Sequence, residues 1–154
     1  MLRSGSPLPS FEGATRWLNH AASPDELRGR PVFVQFWARS CYICKENLPF
    51  VQQWQSTYGP RGVAFVSVHM PRQESDTSVE DVAATARALG MREPLAIDNE
   101  HVIGNRFETD GLWPIYFVFD AEGKLRGRAA GAASLSILEG TLERVAPLTP
   151  ARSA

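Results

Sequence analysis

Short apolar runs along the chain predict buried β-strands. Val32–Trp37 and Val63–Val68 are rich in β-branched and aromatic residues and have the length of a strand. Ile115–Phe119 is a third strand candidate, and the turn residues Asp120–Gly123 after it predict a hairpin whose return strand covers Lys124–Arg128. Weaker signals are a brief strand at 95–97 and a strand or turn within 11–20.

Apolar residues at helical spacing alternate with these strands. Leu48, Val51, Trp54 and Tyr58 repeat at three, three and four positions, and Pro49 inside this pattern predicts a kink. The other predicted helices are one capped by Ser23 with Pro24 at its first position, an amphipathic helix at 79–89, a short helix or turn at 101–107, and a closing helix at 134–145.

This alternation predicts an α/β protein with a central mixed β-sheet and helices on both of its faces. The first two strands are expected to be parallel neighbours. The 154 residues suit a single domain with a core at about 11–145 and loose ends at 1–10 and 147–154.

The charge balance gives no reason to expect a nucleic acid or an anionic membrane as partner. Sixteen Lys and Arg residues oppose seventeen Asp and Glu, for a formal net charge of −1. No apolar run approaches the roughly 18 residues of a membrane span. Because Met1–Asn19 contains no continuous apolar stretch, we expect no signal peptide and a cytoplasmic protein, with export after removal of a leader as the alternative.

The two cysteines of the chain, Cys41 and Cys44, form a C-x-x-C pair between a predicted strand and a predicted helix. A helix N-terminus favours thiolate over thiol, and Arg39 and Lys45 add positive charge nearby. We expect Cys41 to be exposed and Cys44 to be shielded one turn into the helix, the arrangement of an attacking and a resolving thiol. The alternative is a pair of small buried residues in a turn.

The sequence gives little support for a bound metal. Zinc sites need four ligands, whereas this chain offers one cysteine pair and three scattered histidines, His20, His69 and His101. Lys45 stands where haem attachment after a C-x-x-C pair requires histidine. His69 can be read as a pocket wall or soft metal ligand, or as a histidine that caps the end of a strand.

The order of strand, C-x-x-C, helix, α/β stretch, X-Pro, strand, hairpin and terminal helix resembles the thioredoxin superfamily over residues 11–145. The 70 residues from Cys44 to Pro114 are typical of its TlpA/ResA/DipZ-type group, and the chain is also similar to the thioredoxin-like domain of NHL-repeat-containing proteins. The matching segments are Trp17-Leu18-Asn19, Phe36-Trp37, Val68-His69-Met70-Pro71, Ala96-Ile97-Asp98-Asn99, Trp113-Pro114 and Phe119-Asp120-Ala121-Glu122-Gly123-Lys124.

The resemblance implies a thioredoxin fold with an extra helix–strand insertion before a cis proline at Pro114. It implies an antioxidant thiol:disulfide oxidoreductase in which Cys41 attacks a substrate disulfide and Cys44 resolves the mixed disulfide. Its partners would be a protein or small-molecule disulfide and an upstream dithiol reductant, with no bound cofactor. The Trp113 backbone would meet the substrate chain, and Tyr42 and Ile43 would border it.

Several positions depart from the family pattern. Gln35 stands where many thioredoxins have a buried Asp, and Asn47 stands where related proteins often have Glu. We therefore expect a water held by Gln35, or Glu46 itself, to take the place of the missing carboxylate. Trp37, at the end of the first buried strand, is expected to support the site from the core.

Two other functions stay open at this point. A thiol peroxidase would share the fold, but Ala38 occupies the position where peroxiredoxins have Thr. A non-catalytic module could instead bind a peptide or Cu(I), with the two thiolates and His69 as ligands.

Overall fold

A single mixed sheet organises the computed structural model, which describes residues 1–132 and 135–148. Its strands are β1 (Arg16–Leu18), β2 (Val32–Trp37), β3 (Ala64–His69), β4 (Leu95–Ile97), β5 (Ile115–Phe119) and β6 (Leu125–Ala130). They lie in the order β1-β4-β3-β2-β5-β6. Strands β2, β3 and β4 are parallel, and the other pairings are antiparallel. The predicted mixed sheet and the predicted parallel pair of first strands are therefore confirmed.

Helices cover both faces of this sheet, as predicted. They are α1 (Pro24–Leu27), α2 (Tyr42–Tyr58), α3 (Val79–Ala88), α4 (Val102–Arg106) and α5 (Leu135–Val145), with a 3₁₀ turn at Glu74–Asp76. Apolar residues of α2, α3 and α5 pack in one core cluster, and those of α1 and α4 pack in the other. The structure thus has the thioredoxin fold, and α3, β4 and α4 form the long stretch between β3 and Pro114.

Some boundaries differ from the sequence prediction. Helix α2 continues as one helix of 17 residues through Pro49. The stretch between β3 and α3 contains the 3₁₀ turn, and the buried Asp76 within it accepts hydrogen bonds from the Ser40 hydroxyl and from the Arg72 N–H. The predicted start of the last helix at Ser134 lies outside the described residues.

Residues 1–10 are not the loose end that the sequence predicted. The Gly5 N–H donates to the Leu125 carbonyl, and the Leu8 N–H donates to the Gly123 carbonyl, each at 2.8 Å. Leu2 is buried against the core. The physical reason is that β6 is an edge strand, whose unpaired backbone groups bind an additional segment. Of the predicted loose end at 147–154, residues 149–154 lie outside the described part.

Strand alternation decides which side chains of β2 lie under α2. Phe33 and Trp37 belong to the core cluster on the α2 side, so Gln35 between them points to the same side. Val32, Val34 and Phe36 belong to the opposite cluster. Because all six residues are buried, the central strand carries no polar-out pattern, which is usual for a strand covered on both faces.

Phe107 provides a direct test of this packing, because it is fully buried against Phe11, Phe36 and two phenylalanines of β5. We predict that Phe107→Ala lowers the free energy of unfolding by about 3–5 kcal/mol through loss of buried contacts and cavity formation. Phe50→Ala makes the same chemical change at a side chain that is 51% exposed, and should change stability by only about 0.5 kcal/mol. Guanidinium unfolding of the two variants measures the difference, and equal losses would contradict the packing described.

Candidate active site

The cysteine pair lies at the junction between the end of β2 and the start of α2. Cys41 is the N-cap residue of α2, and Cys44 occupies its first turn. The two sulfurs are joined in a disulfide, and the Cys44 N–H donates to the Cys41 sulfur at 3.1 Å. Cys41 therefore receives both a direct hydrogen bond and the positive end of the helix dipole, which together stabilise negative charge on its sulfur once the disulfide is reduced.

Both cysteines are buried in this disulfide form. Cys41 is 3% exposed and Cys44 is 5% exposed, so the prediction that Cys41 is exposed is wrong for this state. The reason is that Cys41 packs into the core cluster beside α2, while Tyr42 projects outward with 72% exposure. Ile43 is half-buried and packs against the same cluster. The outer surface next to the disulfide is thus formed by Tyr42.

The two charged residues after Cys44 have different surroundings. Lys45 lines a narrow cleft together with Gln35, Trp37 and Cys44. Glu46 is exposed, and its carboxylate beside Tyr42 raises the pKa of the Tyr42 hydroxyl. The structure therefore brings Gln35 to Cys44 but places Glu46 next to Tyr42 on the protein surface.

The predicted cis proline is present. The Trp113–Pro114 bond is cis, immediately before β5. Pairing of β5 with β2 sets Ile115 opposite Phe36, so Pro114 lies at the end of β2 where the cysteine loop begins. The Trp113 indole Nε1 donates to the Met70 carbonyl at 2.6 Å, which ties this loop to the end of β3.

Hydrogen bonds from neighbouring elements fix the two residues before Cys41. The Arg39 N–H donates to His69 Nε2 at 2.9 Å, and the Ser40 hydroxyl donates to Asp76 Oδ2 at 2.6 Å. Arg72 donates from Nη1 to the Ser40 carbonyl at 2.8 Å. Asp76 could not be predicted as part of the site, because no local sequence pattern distinguishes a buried Asp in a polar loop from a solvated one.

Two ionisable groups in this arrangement have shifted pKa values. Burial lowers the pKa of His69 to about 4, although Asp76 partly opposes this shift. Burial would raise the pKa of Asp76, but hydrogen bonds from Ser40 and the Arg72 backbone outweigh it and lower that pKa. At neutral pH His69 is therefore uncharged and accepts the Arg39 N–H, while Asp76 is ionised.

A row of polar side chains crosses the sheet beneath α2. Ser67, Gln35 and Tyr116 stand side by side on β3, β2 and β5 because the strand register pairs them. Gln35 Nε2 donates to the Ser67 hydroxyl at 2.8 Å, and Asn47 Nδ2 donates to the Tyr116 hydroxyl at 3.0 Å. Burial raises the pKa of Tyr116 to about 12, so its hydroxyl stays protonated. The predicted supporting residue Gln35 is thus one member of a larger buried network.

The described residues contain no cluster of three or more His, Cys, Asp or Glu side chains arranged to hold a metal ion. His69 Nε2 already accepts the Arg39 N–H, and its ring packs edge-on against Trp37 at 4.8 Å between centroids. Within the same part of the chain, every helix is too short or too polar to cross a membrane.

Comparison with known proteins identifies the family. The AhpC/TSA family model matches residues 4–128. The chain belongs to the AhpC/TSA family. The thiol-disulfide oxidoreductase YkuV of Bacillus subtilis is 34% identical to this chain, over 90% of this chain and 93% of its own length. The DipZ protein of Mycobacterium bovis is 31% identical over 90% of this chain, which spans 20% of DipZ.

A solved solution structure of a thioredoxin-like protein in its oxidized form has the same fold. It matches with a TM-score of 0.82 and 34% identity over 92% of this chain and 95% of its own. The thioredoxin-like resemblance predicted from the sequence is therefore confirmed. With the Cys41–Cys44 pair at the end of β2, these relatives show that the protein is a thiol-disulfide oxidoreductase acting by dithiol–disulfide exchange.

The buried His69 predicts a specific pH dependence of stability. Its folded pKa of about 4 lies below its ordinary value of 6.5, so the unfolded chain binds the extra proton between these values. The contribution is complete above pH 6.5 and is lost as pH falls toward 4, on the order of 3 kcal/mol. His69→Gln keeps an acceptor for Arg39 and should remove this part of the slope in denaturant unfolding. An unchanged slope would show that His69 is not buried and neutral.

Proposed function

We propose that this protein reduces disulfide bonds in other proteins, with Cys41 as the attacking thiolate and Cys44 as the resolving thiol. The observation that carries this proposal is the position of Cys41 at the N-cap of α2, where the Cys44 N–H donates to its sulfur. This environment favours a thiolate at Cys41 over one at Cys44, which lines the largely apolar cleft beside Gln35.

The proposed reaction conserves atoms and electrons in two exchanges. The Cys41 thiolate attacks one sulfur of the substrate disulfide, a mixed disulfide forms, and the other substrate sulfur leaves as a thiolate that takes up a proton. Cys44 then loses its proton and attacks the Cys41 sulfur, which releases the second substrate sulfur and forms the Cys41–Cys44 disulfide. Two electrons pass to the substrate, and an upstream dithiol must return them.

Four residues are proposed to contact the substrate. Tyr42 is the exposed aromatic side chain next to the disulfide, and Ile43 supports it from the core side. Trp113 and Pro114 lie at the adjacent ends of β5 and β2. Because Trp113 is tied through its indole to Met70, its backbone is held in place for a substrate chain that lies along this edge.

The reductase direction is proposed together with a cytoplasmic location. Thiol pools of the cytoplasm keep dithiols reduced, so a protein that must be re-reduced after each turnover works there with the surrounding potential. A small-molecule disulfide is the alternative substrate within the same chemistry. Cell fractionation with an antibody against the protein tests the location.

The proposed roles of the two cysteines predict opposite behaviour of their variants. Cys41→Ser should abolish reduction of a protein disulfide such as insulin, because no attacking thiolate remains. Cys44→Ser should lose turnover but accumulate a stable mixed disulfide at Cys41, visible as an added mass that a reductant removes. Turbidity of reduced insulin measures the first effect, and intact-protein mass spectrometry measures the second.

Glu122→Gln, a change of an exposed residue on the β5–β6 turn, is the matched control and should retain full activity. Insulin reduction by Cys41→Ser, or trapping at Cys44 in place of Cys41, would contradict the proposed roles. Rapid turnover of hydrogen peroxide with no insulin reduction would favour a peroxidase instead. Copper retained through gel filtration by the reduced protein, with no reductase activity, would favour a binding module.

A further inference from the structure

Resolution of the mixed disulfide requires that the Cys44 thiol lose its proton. The thiol must become a thiolate before it attacks Cys41, so groups that contact Cys44 control when this happens. The cleft beside Cys44 is walled mostly by apolar side chains, Leu48, Leu89 and Met91, and by Trp37, whose buried indole N–H can donate but not accept. Gln35 brings a buried amide to this cleft, with an exposure of 3%, and its oxygen can accept a hydrogen bond from a thiol.

The Gln35 amide is held by its nitrogen. Nε2 donates to the Ser67 hydroxyl at 2.8 Å and to Glu93 Oε2 at 3.5 Å, and the Ser67 hydroxyl itself donates to the same carboxylate oxygen. A carboxylate accepts hydrogen bonds and never donates them, so it selects the nitrogen end of the amide. Within the described part of the chain both hydrogen bonds of the amide start from Nε2, so the oxygen Oε1 is left as an acceptor.

Glu93 comes from outside the sheet row that carries Gln35. It lies in the connection between α3 and β4, is half-buried, and reaches Ser67 on β3 from the side opposite Gln35's own strand. Its Oε1 oxygen accepts the Arg92 N–H at 3.1 Å, which leaves Oε2 for Ser67 and Gln35. The Glu93 carboxylate is thus linked to the cleft beside Cys44 through two hydrogen-bonded side chains, Ser67 and Gln35.

We propose that Glu93 is a positioning residue for the resolving thiol: with Ser67 it holds the Gln35 amide by its nitrogen and presents the amide oxygen to Cys44. This inference rests on the proposed role of Cys44. The amide oxygen accepts a hydrogen bond from the S–H form, and the Glu93 charge opposes a second negative charge nearby. Both effects keep Cys44 protonated until Cys41 has reacted.

Other charged groups near Cys44 lower the pKa of its thiol or are held by residues away from it. Lys45 lines the same cleft and, with the N-terminus of α2, favours the Cys44 thiolate. The β2 residues that face Cys44 are uncharged. The Arg39 side chain is held by the Thr85 hydroxyl of α3, and the Asp76 carboxylate is held by the Ser40 hydroxyl. The contribution of Glu93 is therefore measured as a difference between variants that share all these groups.

The decisive experiment titrates Cys44 alone. In the Cys41→Ser background Cys44 is the one cysteine left, and ultraviolet absorbance of its thiolate against pH gives its pKa without the need for a reagent to enter the site. We expect Glu93→Gln, which keeps the shape and removes the charge, to lower this pKa by about one unit, or about tenfold more thiolate at neutral pH. Glu122→Gln, which removes a charge from the distant β5–β6 turn, should leave it unchanged.

A double-mutant cycle shows whether Glu93 acts through Gln35. Gln35→Met should also lower the Cys44 pKa, and Glu93→Gln should have a smaller effect in the Gln35→Met background than alone, because the part carried by the amide is then absent. A Cys44 pKa that Glu93→Gln leaves unchanged or raises would overturn the inference, as would full additivity of the two changes. Insulin reduction by the protein with both cysteines is measured in parallel, because its absence would contradict the proposed function rather than the role of Glu93.

Discussion

The burial of β2 on both faces is the constraint on which the site depends. A strand covered on both sides must place alternate residues under different helices, and its register with β3 and β5 then fixes which side chains meet. Gln35 and Trp37 fall on the α2 side in this way, next to the cysteines that follow the strand. A shift of one residue in the β2 register would turn both of them away from Cys44.

The same register gathers polar groups in a place that is otherwise apolar. Gln35 pairs with Ser67 on one neighbour and with Tyr116 on the other, while Trp37 pairs with His69. Gln35, Ser67 and Tyr116 each take part in a hydrogen bond, and His69 accepts one at Nε2, as buried polar groups require. The result is two supports for the cysteine pair: a network beneath Cys44, and the His69–Arg39 contact that holds the loop before Cys41.

Much of this arrangement could be predicted from the sequence, and the part that could not has a physical explanation. Strand Ile115–Phe119 was predicted with its observed bounds, because a run of β-branched and aromatic residues between Pro114 and a turn is a strong local signal. The position of the cysteines between a strand and a helix was likewise a local feature. Asp76 and Glu93 were not predicted because their roles depend on contacts with residues far away in the sequence. Asp76 contacts Ser40, 36 positions away, and Glu93 contacts Gln35, 58 positions away. No local sequence pattern records such contacts. The N-terminal segment was predicted as loose because its Ser, Pro and Gly residues are typical of loops. Its hydrogen bonds with residues at the edge strand β6 are long-range contacts that composition does not predict.

The proposed function requires that Cys41 and Cys44 exchange electrons as a pair in the reducing direction. Equilibration of the protein in graded redox buffers, followed by alkylation and a count of the modified cysteines by mass spectrometry, tests it most directly. A reversible two-electron transition at about −270 mV, the range of a reductase, is expected. A transition nearer about −120 mV would contradict the reducing direction, and failure of the two cysteines to form a disulfide would contradict the exchange mechanism itself.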